Sequence, residues 1–116
     1  MVTAICNCTH CQRQSGAAFS VNVGIPKGSL KYTGETPAPM RTRAPAASGS
    51  SAFCSKCGSP ILSEVEATPS LDWLKAGTLD DSSWVKPEIS VWCSFAQPWV
   101  QLPGGIAQFP QNPPAA

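Results

Sequence analysis

The chain lacks a surplus of either charge and lacks any long apolar run. Eight Lys and Arg residues face seven Asp and Glu residues, which gives a formal net charge of +1 at pH 7. Because the basic residues are scattered, no electrostatic case exists for binding nucleic acid or an acidic membrane. No stretch of 18 consecutive apolar residues occurs, which argues against a membrane-spanning helix.

The first residues also lack the features of a secretory leader. Residues 1–5, MVTAI, contain no charged lead and are not followed by a long apolar stretch. We therefore expect a cytoplasmic location, where thiols stay reduced. In that compartment, clustered cysteines favour metal binding over disulfide formation.

Room for long helices is scarce, because twelve prolines and nine glycines interrupt the chain. One short helix is predicted, with Thr9 as its N-cap, Gln12 completing a capping box and Gly16 ending it. This helix would bring Cys11 close to Cys8 and turn its backbone donors toward the sulfurs.

The other local signals predict an all-β fold of short antiparallel sheets. Alternation and turn residues favour five strands, at residues 19–23, 30–33, 59–65, 71–76 and 89–93. The composition of residues 35–52 predicts a mobile loop. Residues 100–116 are predicted to form an extended Pro-rich tail. We expect Phe109 in this tail, and Trp99 just before it, to pack their apolar side chains against the domain. The length of the chain indicates a single domain over residues 1–116.

Five of the six cysteines form two clusters, and these carry most of the functional signal. The first is Cys6-x-Cys8-x-x-Cys11, and the second is Cys54-x-x-Cys57 followed by Gly. Two cysteines separated by two residues can direct both sulfurs at one tetrahedral zinc ion, with bonds of about 2.3 Å. We therefore predict that all five are metal ligands and that the cofactor is zinc.

Four landmarks, in order, resemble one known family. They are CNCTHCQRQSG at residues 6–16, FCSKCGS at residues 53–59, AGTLDD at residues 76–81, and Pro98-Trp99. The pattern is similar to that of the glutathione-dependent formaldehyde-activating enzyme family, which includes centromere-protein-V-like members. The resemblance implies a β-tent fold, cysteine-bound zinc, and a carbon–sulfur lyase activity that joins the thiol of glutathione to formaldehyde or a similar small aldehyde.

The resemblance also implies two zinc sites. In one, three sulfurs from Cys6, Cys8 and Cys11 leave a fourth position open to substrate, which makes these cysteines the catalytic candidates. In the other, Cys54 and Cys57 share a structural ion with a further C-x-C near the N-terminus. That second C-x-C is absent here, so we expect a chain shortened at its start. Missing strands would leave a sheet edge that a second copy can cover, which predicts a possible homo-oligomer.

Two chemical questions stay open at this stage. Zinc held by three thiolates can deprotonate a thiol substrate or polarise the aldehyde oxygen. Alternatively, if Cys8, Cys11, Cys54 and Cys57 close one tetrahedral site, the protein is a zinc-stabilised binding or scaffold module without catalysis. A redox-active dithiol is disfavoured, because no βαβ pattern surrounds either C-x-x-C.

The remaining candidates have structural interpretations that compete with functional ones. We expect His10 to be a solvent-facing helix residue, with proton relay as the alternative. Arg13 and Lys56 are expected either to be solvated or to bind a carboxylate. Cys93 is expected to be a buried, packed thiol.

A turn and packing roles are expected for two further groups. Gly77 and Asp80 indicate a turn between strands. The four tryptophans indicate core or edge packing, with one or two lining the pocket; they are Trp73, Trp84, Trp92 and Trp99.

Overall fold

The computed structural model describes residues 2–41 and 49–113. Within them lie eight strands, one α-helix (α1, Thr9–Ser15) and two 3₁₀ turns (Ala76–Thr78 and Cys93–Phe95). The strands are β1 Val2–Cys6, β2 Ser20–Pro26, β3 Ala38–Arg41, β4 Gly49–Phe53, β5 Pro60–Val65, β6 Leu71–Lys75, β7 Ile89–Val91 and β8 Ala107–Gln108. None of the described helices reaches the length and apolarity that crossing a bilayer requires.

All eight strands join one sheet in the order β3-β4-β5-β6-β2-β1-β7-β8. The all-β prediction is confirmed. The expectation of purely antiparallel pairing is wrong at two places, because β1 pairs with β7 in parallel and β7 pairs with β8 in parallel. Strand β1 therefore lies inside the sheet, between β2 and β7, and both of its edges are hydrogen-bonded.

Four predicted strands are confirmed with small shifts, as β2, β5, β6 and β7. The strand predicted at residues 30–33 is wrong, since this stretch has no ladder partner among the described residues. Its residues Lys31 to Thr33 are exposed, so no burial of side chains stabilises strand pairing there. The chain leaves β2 through a turn in which Asp72 Oδ2 accepts a hydrogen bond from the Gly28 amide at 2.9 Å.

The predicted loop at residues 35–52 is wrong where strands β3 and β4 form an antiparallel pair; residues 42–48 lie outside the described part. The tail is not free of structure either, because β8 extends the sheet beside β7. Phe109 is half-buried, as expected for a packed side chain. Trp99 is 73% exposed, so the prediction that it packs against the domain is wrong.

Helix α1 is shifted by one residue at its start relative to the prediction. Its N-cap is Cys8, whose Sγ accepts a hydrogen bond from the Cys11 amide, and not Thr9. The predicted end is confirmed: Gly16 has φ +67°, a left-handed conformation that glycine adopts at little cost, and its amide donates to the Gln12 carbonyl. A sulfur thus takes the capping position that an oxygen usually fills.

The buried core runs along the middle of the sheet. Ile5 of β1 and Val23 of β2 are almost fully buried, and Leu62, Ala76 and Val91 lie around them. Because the core extends to the end of β1, the first cysteine cluster begins directly beside the most buried part of the sheet.

Candidate active site

The first cysteine cluster is built by a strand end and the helix that follows it. Cys6 is the last residue of β1, Cys8 caps α1, and Cys11 lies in the first turn of α1. The three Sγ atoms lie within 4.8 Å of one another, and Cys8 and Cys11 are buried. The prediction that the helix turns the Cys11 amide toward the Cys8 sulfur is confirmed at 3.4 Å.

Hydrogen bonds from Asn7 attach the loop that carries the cluster to strand β7. Its side chain is 1% exposed, and its Nδ2 donates to Ser90 Oγ and to the Val91 carbonyl, both at 2.9 Å. The Asn7 backbone amide also donates to the Val91 carbonyl, at 3.1 Å. These bonds fix the backbone between Cys6 and Cys8 against β7.

Gln12 braces the same loop from the helix side. Its Nε2 donates to the Asn7 carbonyl at 2.8 Å and to the Phe95 carbonyl at 3.0 Å. Its Oε1 accepts a hydrogen bond from Gln97 at 2.8 Å. The capping-box role predicted for Gln12 is therefore wrong, because its Oε1 accepts from Gln97 and not from the backbone amide of the N-cap residue, while its Nε2 joins the residue before the N-cap to the 93–95 turn.

Hydrogen bonding within the cluster shifts the pKa values of the three sulfurs in opposite directions. Hydrogen bonds from Cys6 and Cys8 lower the pKa of Cys11 well below its ordinary value, with Lys75 and Ser20 lowering it further. Hydrogen bonding to Cys11 raises the pKa of Cys6 and of Cys8. Three thiolates this close repel one another, so a cation between them would stabilise the charged form of all three.

The donor set fits a metal ion. Zinc–sulfur bonds of about 2.3 Å in tetrahedral geometry put sulfurs roughly 3.8 Å apart, and the cluster, within 4.8 Å, needs little movement to reach that spacing. Within residues 2–41 and 49–113, no fourth His, Cys, Asp or Glu joins the group. Cys6, Cys8 and Cys11 could therefore hold a metal through three sulfurs.

A cavity of about 390 Å³ lies against two of these sulfurs. Cys6 and Cys11 form part of its wall, whereas Cys8 is fully buried behind them. The volume is at the lower end of the range for small-molecule sites. A ligand in the cavity would meet the cysteine cluster from one side only.

Two tryptophans give the cavity apolar walls. Trp73 of β6 is held by a hydrogen bond from its Nε1 to Thr68 Oγ1 at 2.9 Å, and Trp92 Nε1 donates to Asn112 Oδ1 at 2.9 Å. Gly24 faces Trp73 across the β2–β6 pair, and a Cβ at Gly24 would lie 3.0 Å from the ring. The prediction that one or two tryptophans line the pocket is confirmed, whereas Trp84 is 49% exposed and does not pack in the core.

Lys75 and His10 supply polar groups to the wall. Lys75 Nζ donates to Asn22 Oδ1 at 2.9 Å, and Asn22 Nδ2 donates to Ser20 Oγ at 2.9 Å. The expectation of a solvent-facing His10 is wrong, since it is half-buried in the cavity wall and its Nε2 has no hydrogen-bond partner in the described part of the chain. Burial lowers the pKa of His10; nearby Cys11 opposes this shift, and Lys75 adds to it.

Cys54 and Cys57 lie apart from this cluster, in the turn between β4 and β5. The turn is closed by bonds from the Cys54 amide to the Ser59 carbonyl, at 2.8 Å, and from the Gly58 amide to the Cys54 carbonyl, at 2.7 Å. Cys57 is exposed, and hydrogen bonding from Ser59 lowers its pKa. No third donor of a metal-binding type joins the pair in the described residues, so their role as ligands remains a prediction.

The other candidates take structural positions. Arg13 is exposed on the outer side of α1, and Lys56 is 81% exposed and lies 3.8 Å from Glu35. Cys93 is half-buried, not buried as expected, and its Sγ lies 3.3 Å from Ser90 Oγ. Gly77 belongs to the 76–78 turn.

Sequence reasoning missed Asn7, Lys75 and Asn22. Asn7 had a readable signal, because an amide between two cysteines at the end of an apolar strand has to find partners when it is buried. Lys75 and Asn22 had none, since they meet the cluster only through the pairing of β2 with β6.

Asp80 is exposed, in keeping with a turn residue.

Among curated proteins, none matches this chain significantly. Residues 1–95 match the model of the glutathione-dependent formaldehyde-activating enzyme family. This match covers both cysteine clusters, helix α1 and strands β1 to β7, and it leaves only the segment that carries β8 outside. The chain belongs to the glutathione-dependent formaldehyde-activating enzyme family.

Proposed function

We propose that this protein is a zinc-dependent carbon–sulfur lyase that joins a glutathione-type thiol to formaldehyde or a similar small aldehyde, and catalyses the reverse. The observation that carries the proposal is the position of Cys6 and Cys11 on the cavity wall with Cys8 behind them. Three sulfurs on one side leave the cavity side of a bound ion free for substrate.

Cys6, Cys8 and Cys11 would hold the zinc ion. Bound there, zinc favours the thiolate form of a sulfur ligand at neutral pH, which is the nucleophilic form. In the reaction, the thiol sulfur bonds to the aldehyde carbon, the carbon–oxygen double bond becomes single, and the thiol proton ends on the oxygen. No oxidant or reductant is required.

The residues of the chain would orient the reactants. Trp73 and Trp92 exclude water from two sides of the cavity. His10 offers a ring nitrogen without a partner among the described residues to hydrogen-bond substrate beside Cys11. Asn7 and Gln12 keep the loop fixed, so the sulfurs do not need to be ordered when substrate binds.

The arrangement disfavours the alternative of one closed site. In the described residues, Cys8 and Cys11 group with Cys6 and not with Cys54 and Cys57. For the latter two we propose a two-sulfur contribution to a second, structural ion whose other ligands are not among the described residues.

The test is the rate of adduct formation, measured by exchange NMR with ¹³C-formaldehyde and glutathione at a pH where the uncatalysed reaction is slow. We expect zinc-loaded protein to raise the exchange rate in proportion to its concentration, and chelator-treated protein to lose this effect. An exchange rate that is the same with and without zinc-loaded protein would reject catalysis and leave the binding-module alternative.

A further inference from the structure

Among the described residues of the cavity wall, Lys75 is the one that carries an ammonium group, and its surroundings leave this group available to a ligand. The residue ends β6 directly opposite Asn22 of β2, and its half-buried side chain forms part of the cavity wall. Its ammonium carries three donors, and one is used on Asn22 Oδ1. Because Asn22 Nδ2 is committed to Ser20, the Asn22 oxygen is held toward the lysine.

No carboxylate pairs with Lys75 in the part of the chain that the structure describes. The ion pairs found there join Lys27 to Glu64 and Asp72, and Lys56 to Glu35. Glu64 is the acidic residue of the cavity wall, and its Oε2 lies 3.5 Å from Lys27 Nζ. A half-buried ammonium that has no carboxylate partner among the described residues favours an incoming anion.

The ammonium also belongs to the cavity that the sulfur cluster borders, because Lys75 lines its wall together with Cys6, His10 and Cys11. A thiol whose sulfur meets the Cys6–Cys11 side of the cavity can therefore place a second, negatively charged group near Lys75.

Resting on the proposed function, we infer that Lys75 binds a carboxylate of the thiol substrate, so that the site selects carboxylate-bearing thiols over neutral ones. The two donors left on Nζ match the two oxygens of a carboxylate in number. Asn22 and Ser20 act as positioning residues, since Asn22 holds the lysine ammonium and Ser20 holds the Asn22 amide.

The variants that test this are Lys75→Met, which removes the charge at similar length, and Lys75→Arg, which keeps it. Lys86→Met is the matched control, because Lys86 is exposed and lies outside the cavity wall. The substrates are glutathione and the neutral thiol 2-mercaptoethanol, each with formaldehyde. Binding of S-methylglutathione, which keeps both carboxylates but has no reactive thiol, is measured by calorimetry.

We expect Lys75→Met to weaken S-methylglutathione binding and to raise the KM for glutathione about 10-fold or more, the loss typical of a charge-assisted hydrogen bond. The KM for 2-mercaptoethanol and the zinc content of the variant should stay unchanged. Lys75→Arg should restore most of the binding, and Lys86→Met should match wild type.

Three results would overturn the inference: equal losses for both thiols, loss of zinc in Lys75→Met, or no S-methylglutathione binding by wild type. Loss of zinc would mean that Lys75 only balances the charge of the sulfur cluster. If wild type binds S-methylglutathione through Lys75 but does not accelerate adduct formation, the proposed function fails and the anion site stands. If it accelerates the reaction and Lys75→Met has wild-type values, the anion site fails alone.

Discussion

At the scale of residues, the cysteines occupy three different environments. Cys6, Cys8 and Cys11 share one buried cluster, Cys54 and Cys57 lie in a turn, and Cys93 touches Ser90. The C-x-C-x-x-C spacing was sufficient to predict the cluster, because a strand end and one helical turn bring these sulfurs together locally. Cys93 needed the structure, since nothing in its own neighbourhood shows how far it is buried.

Cys8→Ser should lower bound zinc and abolish activity, because the cluster would fall to two sulfurs while the serine hydroxyl can still cap α1. Elemental analysis of protein purified without chelator and the exchange NMR rate are the measurements. Cys93→Ala is the control: we expect unchanged zinc and a stability loss of about 1 kcal/mol or less. Wild-type zinc in Cys8→Ser would remove Cys8 from the ligand set.

Cys57 should be the first thiol to be alkylated in metal-free protein. It is exposed, and hydrogen bonding from Ser59 lowers its pKa, so its thiolate appears at lower pH than that of an ordinary thiol. The alkylation rate should therefore rise earlier as pH increases. Ser59→Ala should shift this rise to higher pH, as followed by mass spectrometry with iodoacetamide.

Cys93 is the internal reference for that experiment, because it is half-buried. Its alkylation profile should be the same in Ser59→Ala and in wild type. A Cys57 profile that does not respond to Ser59→Ala would show that the hydroxyl has no influence on the thiolate.

At the scale of elements, Gln12 is the main link between α1 and the 93–95 turn. Gln12→Ala removes its bonds to the Asn7 and Phe95 carbonyls and to Gln97. We expect the free energy of unfolding to fall by about 1–2 kcal/mol, since the lost bonds are partly exposed. Urea unfolding measures this.

The neighbouring Arg13→Ala is the control for Gln12→Ala, as Arg13 is exposed on the same helix. Its effect should stay within about 0.5 kcal/mol. Equal effects of the two variants would mean that the brace contributes nothing beyond helix propensity.

How far elements were predictable depended on whether their signal was local. Alternation identified β2, β5, β6 and β7. It missed β1, which has three consecutive buried residues instead of alternating ones. It missed β3 and β4 because Pro, Ser and Gly in them are typical of loops, and β8 because two residues carry no period.

At the scale of the whole molecule, the segment beyond the family match completes one wall of the cavity. The amides of Trp92 and Cys93 donate to the Gln111 and Phe109 carbonyls, and Asn112 accepts from the Trp92 ring. Sequence could not predict this contact, since the tail carries no periodicity. The predicted homo-oligomer stays a prediction.

Deleting residues 107–116 should lower the free energy of unfolding by at least about 2 kcal/mol, because several backbone hydrogen bonds to residues 90–94 are lost. Tryptophan fluorescence should shift to the red as Trp92 becomes hydrated. Asn112→Ala, which removes a single side-chain bond, should have a much smaller effect on both. A deletion variant with the emission and stability of wild type would contradict the role of the tail as a wall.

The parallel pairing of β1 with β7 has a consequence for biosynthesis. Asn7 finds its partners at Ser90 and Val91, more than 80 residues later, so the nascent chain leaves the ribosome with three neighbouring thiols that nothing covers. At translation speeds of about 5–20 residues per second, that interval is on the order of 4–20 s. During it, the loop that carries the three thiols lacks its anchor on β7, so oxidants reach these thiols more easily than in the folded protein.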